Sequence, residues 1–243
     1  MQTFVALSAT LVSLTFAFAV LDQFLAKRRD HLLFWAIGLF AWGVGTFAEF
    51  FFEAFGARAL PFRLWYLSGG VVTAAWMGMG TVALLAGRRR WVDMLAGALI
   101  LATVIAYARG LAAGVDLQVI RDAGHLTGAA FPRSVRLMTP FFNVFGTIAL
   151  VGGALWSAVA LARRRTPGWR VQANVLIAAG SMLPALGGSF SKAGHPEVLY
   201  FTELAGVVVI FAGFLRSQEG VRFYPFLYFR HKLDRVGLPD GLR

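Results

Sequence analysis

Two glutamates fall where an acidic side chain is costly. Glu49 and Glu203 each sit inside a run of about twenty mostly apolar residues. At the centre of a membrane helix an acid costs about 2.5–3.5 kcal/mol, and less toward the interface. Such a group must turn into a helical bundle and find a partner there. With neighbouring runs antiparallel, Glu49 and Glu203 come to similar depths. Arg58, Arg63, Tyr66, Arg133, Arg136, Lys192, His195 and Tyr200 lie near the same depth. The ligand-binding candidates are Glu49, Glu203, Tyr66, Arg63, Arg133 and Lys192. Glu203 is expected to face Lys192, Arg63 or Arg133, with Tyr66 as a neutral option. Two readings stand: a polar pocket opening outward, or interfacial anchors and ion pairs that satisfy one another. Of the remaining acids near these runs, Asp22 suits a pair with Lys27 or Arg28, and Glu53 suits a wet outer edge.

Other chemistry is excluded by residue type. There is no cysteine, which removes disulfides, thiol nucleophiles, Cys-ligated zinc and iron–sulfur clusters. Lysine occurs only at 27, 192 and 232, so a retinal Schiff base in the last apolar run has no attachment point. His31, His125, His195 and His231 fall outside the runs, which leaves a bis-His haem unsupported. No P-loop, HExxH or kinase signature occurs. No catalytic residue, metal site or cofactor is expected.

The elements that position the glutamates follow from length and apolarity. The chain has 243 residues, 58% hydrophobic and 14% charged. Soluble domains carry roughly 25% charge, so a polar shell cannot be built here. Seven runs cover 4–25, 32–52, 64–87, 92–112, 137–162, 171–190 and 198–215. They are continuous and not alternating, which predicts helices and not a barrel. The expected fold is all-α: a seven-helix transmembrane domain over residues 1–216, then a short basic-aromatic cytoplasmic tail over 217–243. The N-terminal run has no preceding positive charge, so it reads as an uncleaved helix and not a signal peptide.

The formal net charge of +11 is distributed by topology. Sixteen basic residues fall after the first, third, fifth and seventh runs, including 27–29, 88–90 and 163–165, against seven on the other side. The positive-inside rule then places the N-terminus out and the C-terminus in. Charge at span ends argues against nucleic-acid binding, which needs a clustered basic face. A bacterial inner membrane is the expected location, with the lipid bilayer as principal partner.

A constant offset of 136 aligns two landmarks. Leu25-Ala26-Lys27-Arg28-Arg29 recurs as Leu161-Ala162-Arg163-Arg164-Arg165, and Gly70-Val71-Val72 recurs as Gly206-Val207-Val208. This suggests a 3+1+3 parallel repeat with the fourth span as linker, a plan found in some transporters. Gly69, Gly70, Ala74, Gly78 and Gly80 would let the third span approach a neighbour closely. Asn143 and Asn174 carry amides suited to joining helices. Pro140 and Pro184 are candidates for kinks. Trp35, Trp65, Trp91 and Trp169 read as membrane-interface residues. Leu117–His125 is expected to form a short surface helix. The tail, with Phe223-Tyr224-Pro225-Phe226-Leu227-Tyr228-Phe229-Arg230-His231-Lys232, suits anionic lipid at the cytoplasmic interface.

With an outside N-terminus, seven spans and arginine-rich inner loops at 27–29, 88–90 and 163–165, the arrangement resembles the seven-helix input modules of some prokaryotic histidine kinases. The resemblance covers residues 1–216 and is architectural, and the chain lacks a kinase domain. It implies a non-enzymatic sensor or interaction module, with a second copy or another membrane protein as partner. The 3+1+3 plan is also similar to that of certain sugar transporters, whose proline-glutamine loop dipeptide is missing here. A small-solute transporter or channel is the alternative, and a lipid-modifying enzyme using Glu49 and Glu203 a third. An outward pocket closed at the inner face favours the sensor. A continuous path favours transport, and carboxylates converging beside a lipid-sized groove favour the enzyme.

Overall fold

The computed structural model describes residues 1–217; residues 218–243 and the side chain of Lys192 lie outside the described residues. The described chain is helical and contains no strand. Eight helices carry the architecture: α1 (Gln2–Lys27), α2 (Asp30–Phe55), α3 (Ala59–Ala86), α4 (Arg90–Ala112), α5 (Leu117–Ala123), α6 (Arg133–Arg163), α7 (Gly168–Lys192) and α8 (Glu197–Ser217). All except α5 are long and apolar enough to cross a membrane, and the seven match the expected runs within a few residues. The chain is accordingly a multi-pass membrane protein by length and composition. The predicted 217–243 tail, with its lipid-binding reading, falls almost wholly outside the described residues.

The connections are short, and local chemistry ends each helix. Arg28 adopts φ 52°, a left-handed turn that closes α1, and its N–H returns to the Phe24 carbonyl. Asp30 then opens α2, where an acid complements the positive helix N-terminus. Gly56 at φ 78° and Gly87 at φ 68° end α2 and α3 in backbone that favours glycine. Asp116 caps α5 by accepting N–H bonds from Gln118 and Val119. That surface helix stops at Ala123, two residues short of the expected end.

The helices form a ring. α1 packs on α2, α2 on α3, α3 on α6, α6 on α7, α7 on α8, and α8 returns to α1. α4 stands outside the ring against α3, and its large side chains at Met94, Leu101 and Val104 face outward. An outward apolar face needs lipid around it.

Small residues set the closest crossings. A Cβ on Gly146 would lie 2.3 Å from the carbonyl carbon of Ala74, and one on Gly78 would lie 2.9 Å from Gly146 Cα. A Cβ on Gly45 would reach 2.8 Å from Gly69 Cα, and one on Gly80 would meet the Trp35 ring. The expected close approach of the third span is therefore real at Gly69, Ala74, Gly78 and Gly80. Gly70 has open space around it.

Two π-helical stretches, Trp65–Val72 in α3 and Ile148–Gly152 in α6, have no counterpart in the sequence reading. They widen the helix locally, a geometry often found at functional sites. Pro140 lies in the opening turn of its helical segment, where no hydrogen bond is lost. Pro184 does sit inside α7.

Candidate functional site

Glu49 lies six residues before the end of α2 and Glu203 six residues after the start of α8. At 1.5 Å per residue each is about 9 Å in from its helix end. Because α2 and α8 run in opposite directions, the two residues reach the same level, and their carboxyl groups hydrogen-bond each other. Such a bond requires a proton on one of the two, since two carboxylates in contact cannot both stay ionised. Glu49 is 2% exposed and Glu203 half-buried.

Trp65 completes the pair from α3. Its indole N–H donates to Glu49 Oε1 at 2.8 Å. Trp65 is also the first residue of the π-helical stretch, so the widened turn begins beside the carboxylate. Glu49 Oε2 is buried, and no N–H among the described residues reaches it. One turn along α2, Glu53 accepts from the Tyr200 hydroxyl of α8 at 2.9 Å. The site is thus three carboxylates and two aromatic donors drawn from α2, α3 and α8. Thr46, a turn deeper on α2, accepts from Thr10 of α1 at 3.1 Å and extends the polar strip.

The remaining candidates go elsewhere. The Arg63 guanidinium donates to the Ala113 carbonyl at the end of α4 at 2.8 Å, and its Nε is buried without an acceptor. The Tyr66 and Thr139 hydroxyls hydrogen-bond at 2.7 Å, and the Tyr66 ring packs edge-on to Phe131. Arg133 is exposed at the start of α6. Among the described side chains Glu203 meets a second carboxyl and not Arg63 or Arg133, while the Lys192 side chain lies outside the described residues. Glu53 was expected to be wet; it is half-buried and bonded.

Trp65, read as an interface residue, is a hydrogen-bond donor inside the bundle. Trp35 is another: its indole donates to the Met77 carbonyl at 3.1 Å and binds α2 to α3. Trp91 is exposed, and Trp169 stacks beneath the Arg170 guanidinium. Asn143 donates to the Gly70 carbonyl, joining α6 to the π-helical stretch of α3. Asn174 instead returns to the Arg170 carbonyl of its own helix. Lys27 pairs with Gln23, and Asp22 is buried. The one sequence signal for the true constellation is spacing: Glu49 and Glu53 are one helical turn apart and share a face.

No protein-family model, no curated protein and no solved structure matches the chain. The site's meaning rests on its own geometry.

That geometry differs sharply between the two ends of the ring. Toward the end carrying Lys27, Arg88 and Arg163, every ring helix sends an apolar side chain to the axis. Phe16, Leu39, Met77, Leu150, Ile177 and Phe214 pack together there and line a partly open cavity of about 20 Å³. That is room for about one water, but no polar group lines it to hold one. Phe16 stacks on Phe211 with ring centres 4.6 Å apart, which tightens the plug. Glu49, Glu53 and Glu203 lie at the opposite end, while Asp22 and Gln23 are buried near the Lys27 end of α1. A second, more open cavity lies outside the axis, at Gln172 and Arg216, where Arg216 donates to Gln172 across α7 and α8.

Proposed function

We propose that the protein is a non-enzymatic sensor or interaction module, with its polar site at Glu49, Glu53, Tyr200 and Glu203 on the outer side of a bacterial inner membrane. The observation that carries this reading is the apolar plug. Apolar side chains from six helices pack together on one side of the site, so a signal arriving there meets a hydrocarbon barrier. A change at the site can instead travel as relative movement of α2, α3 and α8, which meet at it. The architectural resemblance to kinase input modules supports the same role, with a second copy or another membrane protein receiving the signal, and anionic lipid engaging the tail.

The N-out, C-in orientation rests on the asymmetry of sixteen basic residues against seven. In that orientation the plug lies on the cytoplasmic side. The 3+1+3 repeat is supported by the crossings. Gly45 meets Gly69 between α2 and α3, and an offset of 136 maps them to Ser181 and Ala205; the contact between α7 and α8 falls at Gly180 and Gly206, one residue away. Gly38 against Met77 maps to Asn174 and Gly213, and Gly213 packs against Ala173. α4, outside the ring, has the place of a linker.

The repeat and the ring also favour the second reading, a transporter for which the plug is a closed gate. Converging carboxylates suit an enzyme, but the two cavities described above lie nearer the arginine-rich end. Reconstitution into sealed proteoliposomes separates these readings. The sensor predicts no protein-dependent flux of sugars, amino acids or monovalent ions. Saturable flux of any of them would overturn it in favour of transport.

A further inference from the structure

The Glu49–Glu203 contact poses a problem of charge. With one shared proton the pair carries one negative charge at about 9 Å from the helix ends. No Lys, Arg or His among the described residues forms an ion pair with Glu49, Glu203 or Glu53. A buried acid is normally answered by a cation or by a full set of donors. Among the described residues no N–H reaches the buried Glu49 Oε2, and the carboxyl's partners are the Trp65 indole and the Glu203 carboxyl. Trp65 and Tyr200 spend their single N–H and O–H on Oε1 of Glu49 and Oε1 of Glu53, which holds both carboxyl groups in place.

We propose that Glu49 and Glu203 form a binding site for a small monovalent cation, which enters in exchange for the proton the two share. The exchange conserves charge. As the cation arrives, the proton leaves to solvent and both carboxylates become anions. The site keeps one net negative charge throughout, so no additional charge has to be buried. A tightly held divalent ion is a poorer fit. Calcium takes six to eight oxygens and magnesium a near-ideal octahedron. The described residues offer no group of three carboxylates or histidines in metal-holding geometry. The titratable groups facing the pair are Glu53 from α2 and Tyr200 from α8; α3 contributes Trp65, and α1 reaches the neighbouring polar strip through Thr10. Loss of the shared proton replaces a direct bond between α2 and α8 with an ion bridge, which is the movement a sensor needs. The inference names the ligand class of the polar site proposed above and rests on that site being functional. It does not depend on whether the protein also transports.

The test is proton release in detergent, which reads binding separately from flux. The full chain, purified in weakly buffered N-methyl-glucamine chloride with a pH-indicating dye, is titrated with NaCl and, separately, with KCl. Saturable release approaching one proton per chain is expected with at least one of them. The apparent affinity should tighten as pH rises, by up to about tenfold per unit for a single exchanged proton. E203Q and E49Q should each abolish release while the chain stays monodisperse. A Gln amide can donate to the remaining carboxylate and so mimics the proton-loaded pair. Should either variant fail to fold, the wild-type titration alone decides. No release with either salt, or equal release with added N-methyl-glucamine chloride, would overturn the proposal. Release of two protons with CaCl2 and none with NaCl or KCl would overturn the monovalent assignment. Release in detergent without flux in liposomes supports both the cation site and the sensor; flux without release refutes both.

Discussion

Replacing Trp65 by Phe removes the one N–H that donates to the Glu49 carboxyl among the described residues. The bond is 2.8 Å long, joins α3 to α2, and ends on a residue 2% exposed. Interhelical hydrogen bonds in membrane proteins average about 0.6 kcal/mol in double-mutant cycles, with a maximum near 1.7. This one has a buried carboxyl acceptor, and bonds to charged groups are roughly twice as strong as neutral ones. Its coupling energy should therefore fall at the upper end, at about 1.5 kcal/mol. The smaller ring adds a packing loss of roughly 1 kcal/mol that is unrelated to the bond. A double-mutant cycle separates the two contributions. Trp65→Phe is measured in the native background and again with Glu49→Leu, where no acceptor remains. Apparent unfolding free energies from SDS titration in mixed micelles give the four corners. Trp65→Phe should cost about 2.5 kcal/mol natively and about 1 kcal/mol or less beside Glu49→Leu. A coupling below about 0.6 kcal/mol would refute the view that Trp65 orients Glu49 and would return it to the role of a membrane-interface residue.

Other consequences follow from the same packing. Gly146→Ala should destabilise by about 1–3 kcal/mol, because its Cβ would fall 2.3 Å from the Ala74 carbonyl carbon and two backbones must separate; Gly152→Ala, with nothing within 4 Å, should gain about 0.5–1 kcal/mol in the same SDS titration. Asn143→Ala removes the amide that bonds the Gly70 carbonyl and should cost about 0.6–1.7 kcal/mol, with increased amide exchange around residues 65–72 as a local readout. A reporter fused after Arg243 should be active in the cytoplasm; periplasmic activity would reverse the side of every residue, including the plug.

The sequence alone determined the number and length of the membrane-length helices. A bilayer demands runs of about twenty apolar residues with internally satisfied backbone, and few other elements meet that demand. It also determined depth, since depth is a count of residues from a helix end: Glu49 and Glu203 are level because each lies six residues inside its helix. It could not determine azimuth or neighbour. Arg63 lies at a suitable depth but turns to the end of α4, and Tyr66, three residues on, turns to Thr139 of α6. Only tertiary packing decided that α8 closes the ring against α1 and brings the Glu203 carboxyl to Glu49 of α2. It decided too that α3 widens at Trp65, which turns a residue of interfacial type into a donor for Glu49. The physical reason is that apolar faces are nearly interchangeable to lipid. Hydropathy records that a residue is in the membrane, while close glycine crossings and hydrogen bonds between helices fix which way it points.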